Sequence, residues 1–172
     1  MSWSRRVVFL LGIVLLAGTG CGFQPLYGGG ERNATVAELN RVEIGQIADR
    51  VGQELRNSLI DRMSTDPTGA PALYHLTVDV NQGQSALAIQ ADDSITRYNL
   101  AMAANFTLAY LATGEVVYQN SARAVGSYNV VDSDYATLVS QRDAEKRAAL
   151  EISDQITTLI SVFFSRHLDA SQ

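Results

Sequence analysis

The chain has 172 residues, of which 47% are hydrophobic, and its 13 Lys+Arg and 18 Asp+Glu give a formal net charge of −5. This length and composition fit one globular domain, and the negative charge gives no general electrostatic reason to bind nucleic acid. The single cysteine excludes an internal disulfide framework.

Residues 1–20 have the features of a secretory signal peptide. Arg5 and Arg6 precede the 11-residue apolar run Val7–Ala17, which is shorter than the ~20 apolar residues that a membrane-spanning helix needs. Small residues follow this run, and Cys21 comes directly after them. Cleavage before Cys21 would leave 152 residues with a net charge of −7, because the removed segment contains both arginines and no acid.

Cys21 resembles the acylated cysteine of a bacterial lipobox. Thr19 and Gly20 match that pattern, whereas Gly18 stands where a leucine is usual. The alternative is a free cysteine beside an uncleaved anchor. The lipobox interpretation predicts a covalent lipid on Cys21 and no other cofactor. Because Gly22 rather than an aspartate follows, the resemblance to enterobacterial sorting favours the outer membrane.

Residues 21–35 are predicted to form a lipidated tether, and residues 36–170 a single α+β domain. The tether contains a compact apolar group before three glycines: Phe23, Pro25, Leu26 and Tyr27. Contact with a membrane or a partner is one interpretation of this group, and packing against the domain is the other. The glycines favour a flexible hinge.

The hydropathy pattern of the domain predicts six elements in the order β-α-β-β-β-α. The first three are a strand at 41–47, a helix at 50–64 capped by Asp49, and a strand at 74–80 that bends at 81–84 and continues to 91. Strands at 96–110 and 116–128 follow, and then a helix at 135–168 that is either continuous or broken near Ser140. Two amphipathic helices and a sheet with one apolar face predict a two-layer α+β sandwich, with both helices on one face of a mixed or antiparallel four-stranded sheet.

The third and fourth strands are predicted to form a hairpin. Even-numbered positions from Tyr98 to Tyr110 are apolar, and paired residues must share a face of the sheet. A three-residue loop ending in Gly114, with a bulge, keeps even positions paired with even positions. We therefore expect Leu108 opposite Tyr118, and Ala103 opposite Arg123.

No catalytic or metal-binding motif stands out, so we predict that the protein is not an enzyme. His75 and His167 are isolated in the sequence, and structural roles are favoured for both. An enzyme would need a concave site with perturbed titratable groups, and no such group is visible in the sequence.

The odd-numbered face of the hairpin carries Asn, Ala, Thr, Gln, Ser and Val, and Arg97 and Arg123 are its only charges. Between residues 94 and 131 the sole acid is Glu115, in the turn. An ordinary solvated face is one interpretation; a surface for a phosphorylated sugar or for the polar lining of a partner is the other. The two arginines are expected to lie roughly 20 Å apart along the strands.

The segment Cys21–Gly28 (CGFQPLYG) resembles the mature N-terminus of the LptE family of lipopolysaccharide-assembly lipoproteins, especially its alphaproteobacterial form, and the order of elements is similar to that family. The resemblance implies a non-enzymatic outer-membrane lipoprotein that plugs the β-barrel LptD and helps deliver lipopolysaccharide to the cell surface. Family contacts with lipopolysaccharide involve basic residues, and Arg97 and Arg123 are the candidates on the odd face. An auxiliary lipoprotein of a lipid ABC transporter is the alternative, which the Phe23–Tyr27 sequence disfavours.

Overall fold

The computed structural model describes residues 31–64, 71–89 and 95–170. Three helices and four strands occur in these ranges. In chain order they are α1 (Glu31–Leu39), β1 (Val42–Ile44), α2 (Asp49–Met63), β2 (Tyr74–Ile89), β3 (Ile95–Tyr110), β4 (Val116–Asn129) and α3 (Asp134–Ala170).

The strands form one mixed sheet in the order β1-β2-β3-β4. β1 runs parallel to β2, while β2, β3 and β4 are joined by antiparallel pairing. The helices pack on one face of this sheet, so the predicted α+β sandwich is confirmed. The first connection contains α2, as expected for a crossover between parallel strands.

The core lies between the sheet and the two longer helices. Its innermost side chains are almost completely shielded from solvent: Leu55, Leu59 and Met63 of α2, Ile152, Ile156 and Ile160 of α3, and Leu76, Leu100, Met102, Phe106 and Leu108 of the sheet. Complete burial of one such side chain is worth about 1.5–3 kcal/mol. Among the strands, β3 therefore contributes the most side chains to the buried core.

Two local predictions were wrong. The N-cap of α2 is Ala48, and Asp49 is instead its first residue, at a φ of 66°. β2 continues through residues 81–84 without a bend, and its register shifts fall between Ala86 and Ile89. Of the two alternatives left open for the last helix, the continuous one is observed: it is unbroken at Ser140 and reaches from residue 134 to 170, a length of about 55 Å.

A third helix, α1, was not predicted. Its sequence, ERNATVAEL, contains only two large apolar residues, Val36 and Leu39, so the amphipathic pattern is weak. Of these two, Leu39 is buried in the core. The first residues of α1 belong to the range 21–35 that sequence analysis assigned to the tether.

The predicted hairpin register is confirmed. Leu108 lies opposite Tyr118, and Ala103 lies opposite Arg123. Gly114 has a φ of 71°, a conformation that favours glycine, and its amide donates to the carbonyl of Tyr110. The register shift at Ala109 keeps the apolar residues of both strands on the covered face, although the loop is one residue longer than expected.

Candidate binding face of the sheet

The side of the sheet opposite the helices is a mainly polar surface, interrupted by the exposed Val125 and by alanines of β3, and we call it the open face. It consists of the odd-numbered side chains of β2 from His75 to Ser85, of β3 from Arg97 to Ala109 and of β4 from Gln119 to Asn129. None of these side chains is buried. Successive side chains of a strand point to opposite faces, so the residues next to the buried Leu108 and Phe106, namely Thr107 and Asn105, lie on the open face.

Charge is divided across the open face. Glu43 and Asp79 lie on the β1–β2 side, where the Glu43 carboxylate is 3.8 Å from Nδ1 of His75. Arg97 and Arg123 lie on the β3–β4 side and form no ion pair with any described residue. The β3–β4 half is thus weakly basic on a protein that is acidic overall.

Arg97 lies near the start of β3, opposite Asn129 of β4. Its Nη2 donates to Oγ of Ser127, at 2.6 Å, so the guanidinium leans across the strand pair while its side chain stays exposed. Beneath it, on the covered face, the rings of Tyr98 and Tyr128 stack with centroids 5.6 Å apart. Burial, followed by the neighbouring Tyr98 phenol, raises the pKa of Tyr128.

Arg123 lies in the middle of β4, and its backbone is fixed by α3. The Arg123 amide donates to Oε1 of Gln155 at 3.1 Å, and Nε2 of Gln155 donates to the Arg123 carbonyl at 2.9 Å. On the open face the guanidinium-bearing side chain stands beside the small residues Ala101 and Ala103. These neighbours leave the side chain accessible, and guanidinium groups are well suited to bidentate contact with phosphate or carboxylate.

The structure does not bring the two arginines together. Arg97 pairs with Asn129, six residues along β4 from Arg123, which corresponds to roughly 20 Å. Two separate anionic groups would be needed to contact both. Sequence reasoning missed Ser127, which the predicted register would have placed beside Arg97, and Gln155, for which the sequence contains no signal.

The other predicted functional residues lie outside the described residues. These are the lipidation site Cys21 and the apolar group of Phe23, Pro25, Leu26 and Tyr27. Within the described ranges, no helix combines the length and apolar character that crossing a membrane requires. The same ranges contain no cluster of three or more His, Cys, Asp or Glu suited to a metal ion.

Solved structures with this fold include several bacterial lipoproteins. A Caulobacter crescentus protein provisionally described as a lipoprotein is 26% identical, with a TM-score of 0.67, over 79% of this chain and 98% of its own. Rare lipoprotein B from Shewanella oneidensis is 13% identical, with a TM-score of 0.53, over 76% and 98%. Lipoprotein B from Nitrosomonas europaea is 13% identical, with a TM-score of 0.55, over 76% and 87%.

The two-layer fold is therefore one that this chain shares with bacterial proteins described as lipoproteins. The model of the lipopolysaccharide-assembly family LptE matches residues 37–160, and the chain belongs to this family. No curated protein sequence matches it. The family assigns the chain a role in lipopolysaccharide assembly, and the resemblance drawn from the N-terminal sequence is confirmed.

Proposed function

We propose that this protein is the lipid-anchored partner of the outer-membrane β-barrel LptD, that it fills the barrel lumen, and that it helps lipopolysaccharide reach the outer leaflet. The observation that carries the proposal is the open face, an extended sheet surface of hydrogen-bonding side chains with few charges. Barrel interiors are polar, so such a surface matches a lumen better than it matches lipid. In this role the protein is a structural and binding subunit and performs no catalysis.

The anchor is proposed to be a lipid attached to Cys21 at the periplasmic side of the outer membrane. The apolar side chains of Phe23, Pro25, Leu26 and Tyr27 would add contact with the membrane surface or the barrel. One acyl chain binds membranes only marginally, whereas several chains anchor stably. Cys21→Ser should therefore move the protein from the membrane to the soluble fraction in cells depleted of the barrel, which would otherwise hold the protein in the membrane. Unchanged fractionation in those cells would contradict the anchor.

Affinity purification of the lipidated protein from outer membranes tests the partner. Co-purification of a large β-barrel protein is the expected result. Recovery of an inner-membrane transporter complex instead would favour the auxiliary-lipoprotein alternative and overturn the barrel proposal.

Arg97 and Arg123 are the proposed contacts for the phosphate groups of lipopolysaccharide. The double variant Arg97→Glu, Arg123→Glu should weaken lipopolysaccharide binding by about tenfold or more, because one hydrogen bond to a charged group is worth about 1.5–3 kcal/mol. The matched control is Lys146→Glu with Arg166→Glu, which changes the net charge equally at exposed positions of α3. Equal losses in both variants would show a general charge effect and remove the role of the open face.

A further inference from the structure

One end of the sheet carries a group of exposed apolar side chains. Leu73 directly precedes β2, and Tyr110, Leu111 and Val116 lie on either side of the β3–β4 turn. Between 37% and 53% of each of these residues is exposed. We call the four residues the apolar rim. Exposed apolar side chains that lie together commonly mark a surface for a membrane or a partner.

Backbone hydrogen bonds hold the apolar rim together. The Leu111 amide donates to the Leu73 carbonyl at 2.8 Å, which joins the end of β3 to the start of β2. The Tyr110 amide donates to the Glu115 carbonyl at 2.9 Å, so Val116 lies close to Tyr110 across the turn. The four side chains therefore project from one compact part of the fold.

Charge distinguishes the apolar rim from the far end of the sheet, where β3 begins and β4 ends. The two segments that form the rim, residues 71–74 and 109–117, contain one charged residue, Glu115. The far end also exposes apolar side chains at Val131 and Tyr135, but two aspartates lie between them in the chain. Anionic lipids make membrane surfaces negative, so the rim is the end better suited to approach a membrane.

The chain before α1 joins the domain beside the apolar rim. The Arg41 carbonyl, just after α1, accepts the amides of Leu73 and Tyr74, at 2.9 and 3.2 Å. Cys21 precedes Glu31, the start of α1, by ten positions. Those ten residues, fully extended, and α1 together cover at most about 47 Å, which is less than the length of β3, about 50 Å. A lipid on Cys21 therefore holds the domain by its rim end.

We propose that the apolar rim rests on the periplasmic leaflet of the outer membrane, next to the lipid on Cys21. At the boundary between headgroups and acyl chains, leucine and valine side chains leave water while a tyrosine ring keeps its hydroxyl hydrated. The inference rests on the lipid anchor of the proposed function and adds the part of the domain that the membrane contacts. A domain that fills a barrel lumen keeps one end at the mouth on the anchor's side, so the two proposals are compatible.

Quenching of a fluorescent label by lipid-attached groups tests the contact in the full lipidated chain. Leu111→Cys places a thiol on the apolar rim, and Tyr135→Cys, at a 77% exposed position of the far end, is the matched control. Each variant is labelled with bimane; acylation blocks the Cys21 thiol, so only the introduced cysteine reacts. The vesicles contain phosphatidylethanolamine, phosphatidylglycerol and a doxyl-labelled lipid. Quenching of the Leu111→Cys label should be roughly threefold or more that of the Tyr135→Cys label, because the two ends lie about 50 Å apart along the sheet.

The outcomes separate the apolar rim from the anchor. Equal quenching of the two labels, in a chain that floats with the vesicles, would overturn the rim contact and leave the anchor intact. A chain that does not float, and whose Cys21 thiol reacts, would contradict the anchor and the rim contact with it. The same two labels are also compared in the complex with the co-purified barrel. Loss of quenching at the Leu111→Cys label there would assign the rim to the barrel and overturn the proposal.

Glutamates on the apolar rim provide a second test. Leu73→Glu with Leu111→Glu, in a chain labelled at Val116→Cys, should reduce quenching roughly fivefold or more, because two apolar side chains that gain from leaving water are replaced by charges. Leu87→Glu with Leu138→Glu adds the same charge at exposed positions distant from the rim and should leave the quenching unchanged. Equal quenching with both pairs would show that the tether alone brings the rim to the membrane, and would overturn binding by these side chains.

Discussion

The two faces of β3 make different contributions: one face belongs to the buried core, and the other belongs to the exposed surface proposed for binding. Leu108 and Phe106 point into the core and are almost completely buried, whereas Thr107 and Asn105, their immediate neighbours, stand on the open face. Both sets come from one alternating sequence and share one backbone. The helices cover only the apolar side, so the polar side is kept in place by a core to which it contributes no side chain. Its residues are thereby available for binding without a large cost in stability.

The largest expected effect tests this division directly. Leu108→Ala should lower the free energy of unfolding by about 2–5 kcal/mol, because it removes buried methyl groups and leaves a cavity. Asn105→Ala, three residues away on the other face, should change it by no more than about 0.5 kcal/mol. Urea unfolding of both variants measures the difference. Comparable losses would mean that the open face contributes to the core.

The second prediction concerns the polar contact between the two long helices. The Arg50 guanidinium bonds the Glu145 carboxylate, which is almost fully buried and also accepts from Nε2 of Gln141. Arg50→Met leaves the buried Glu145 carboxylate without its charged partner and should lower the free energy of unfolding by about 2 kcal/mol. This loss is smaller than for breaking a fully buried ion pair, because Arg50 is half-exposed. Glu145→Gln should cost about 1 kcal/mol, since Arg50 retains Glu54 and solvent.

Chemical denaturation of the two single variants measures whether Arg50→Met lowers the free energy of unfolding more than Glu145→Gln does. The reverse order would show that the arginine, rather than the carboxylate, is the group that depends on its partner.

The smallest expected effect lies at the margin of the covered face, where Tyr74 stacks on Tyr110 with ring centroids 5.3 Å apart. Burial, and then the nearby Glu38 carboxylate, raises the pKa of Tyr74 to about 12. A raised folded-state pKa stabilises the fold fully below pH ~10, the ordinary tyrosine value, and this contribution is lost as the pH rises toward 12.

Tyr74→Phe keeps the ring and removes the ionisation, so its stability should fall less steeply between pH 10 and 12 than that of the unsubstituted chain. Thermal unfolding across this range measures both slopes. Tyr135→Phe is the control, because Tyr135 is 77% exposed; parallel curves for all three proteins would argue against burial as the cause.

The sequence specified the hairpin because two constraints coincide there. Strict alternation over Tyr98–Tyr110 and a glycine at the turn leave one register that keeps both apolar sets on one face. The same register correctly predicted that Arg97 and Arg123 share a face without meeting. These features are local, so periodicity alone was sufficient.

The remaining features depend on tertiary contacts that periodicity does not record. Leu39 anchors α1 although its helix has little amphipathic pattern, and only the docking site in the core explains its burial. Gln155 resembles any exposed helical glutamine until α3 is placed beside β4. The uninterrupted course of β2 through Gly83 likewise results from its long pairing with β3, which outweighs the local preference of Asn-Gln-Gly for a turn.

The contact between Gln155 and Arg123 also affects whether another strand is able to pair with the β4 edge of the sheet. Helix α3 follows the β4 edge closely, and Ala144 lies within van der Waals reach of a Cβ placed on Gly126. A sheet with two accessible edges is able to extend indefinitely by adding strands, which leads to fibres. Here Gln155 occupies both backbone groups of Arg123 on the β4 edge, so an added strand could not bond to them. One helical glutamine thus protects the middle of the β4 edge from pairing with another strand.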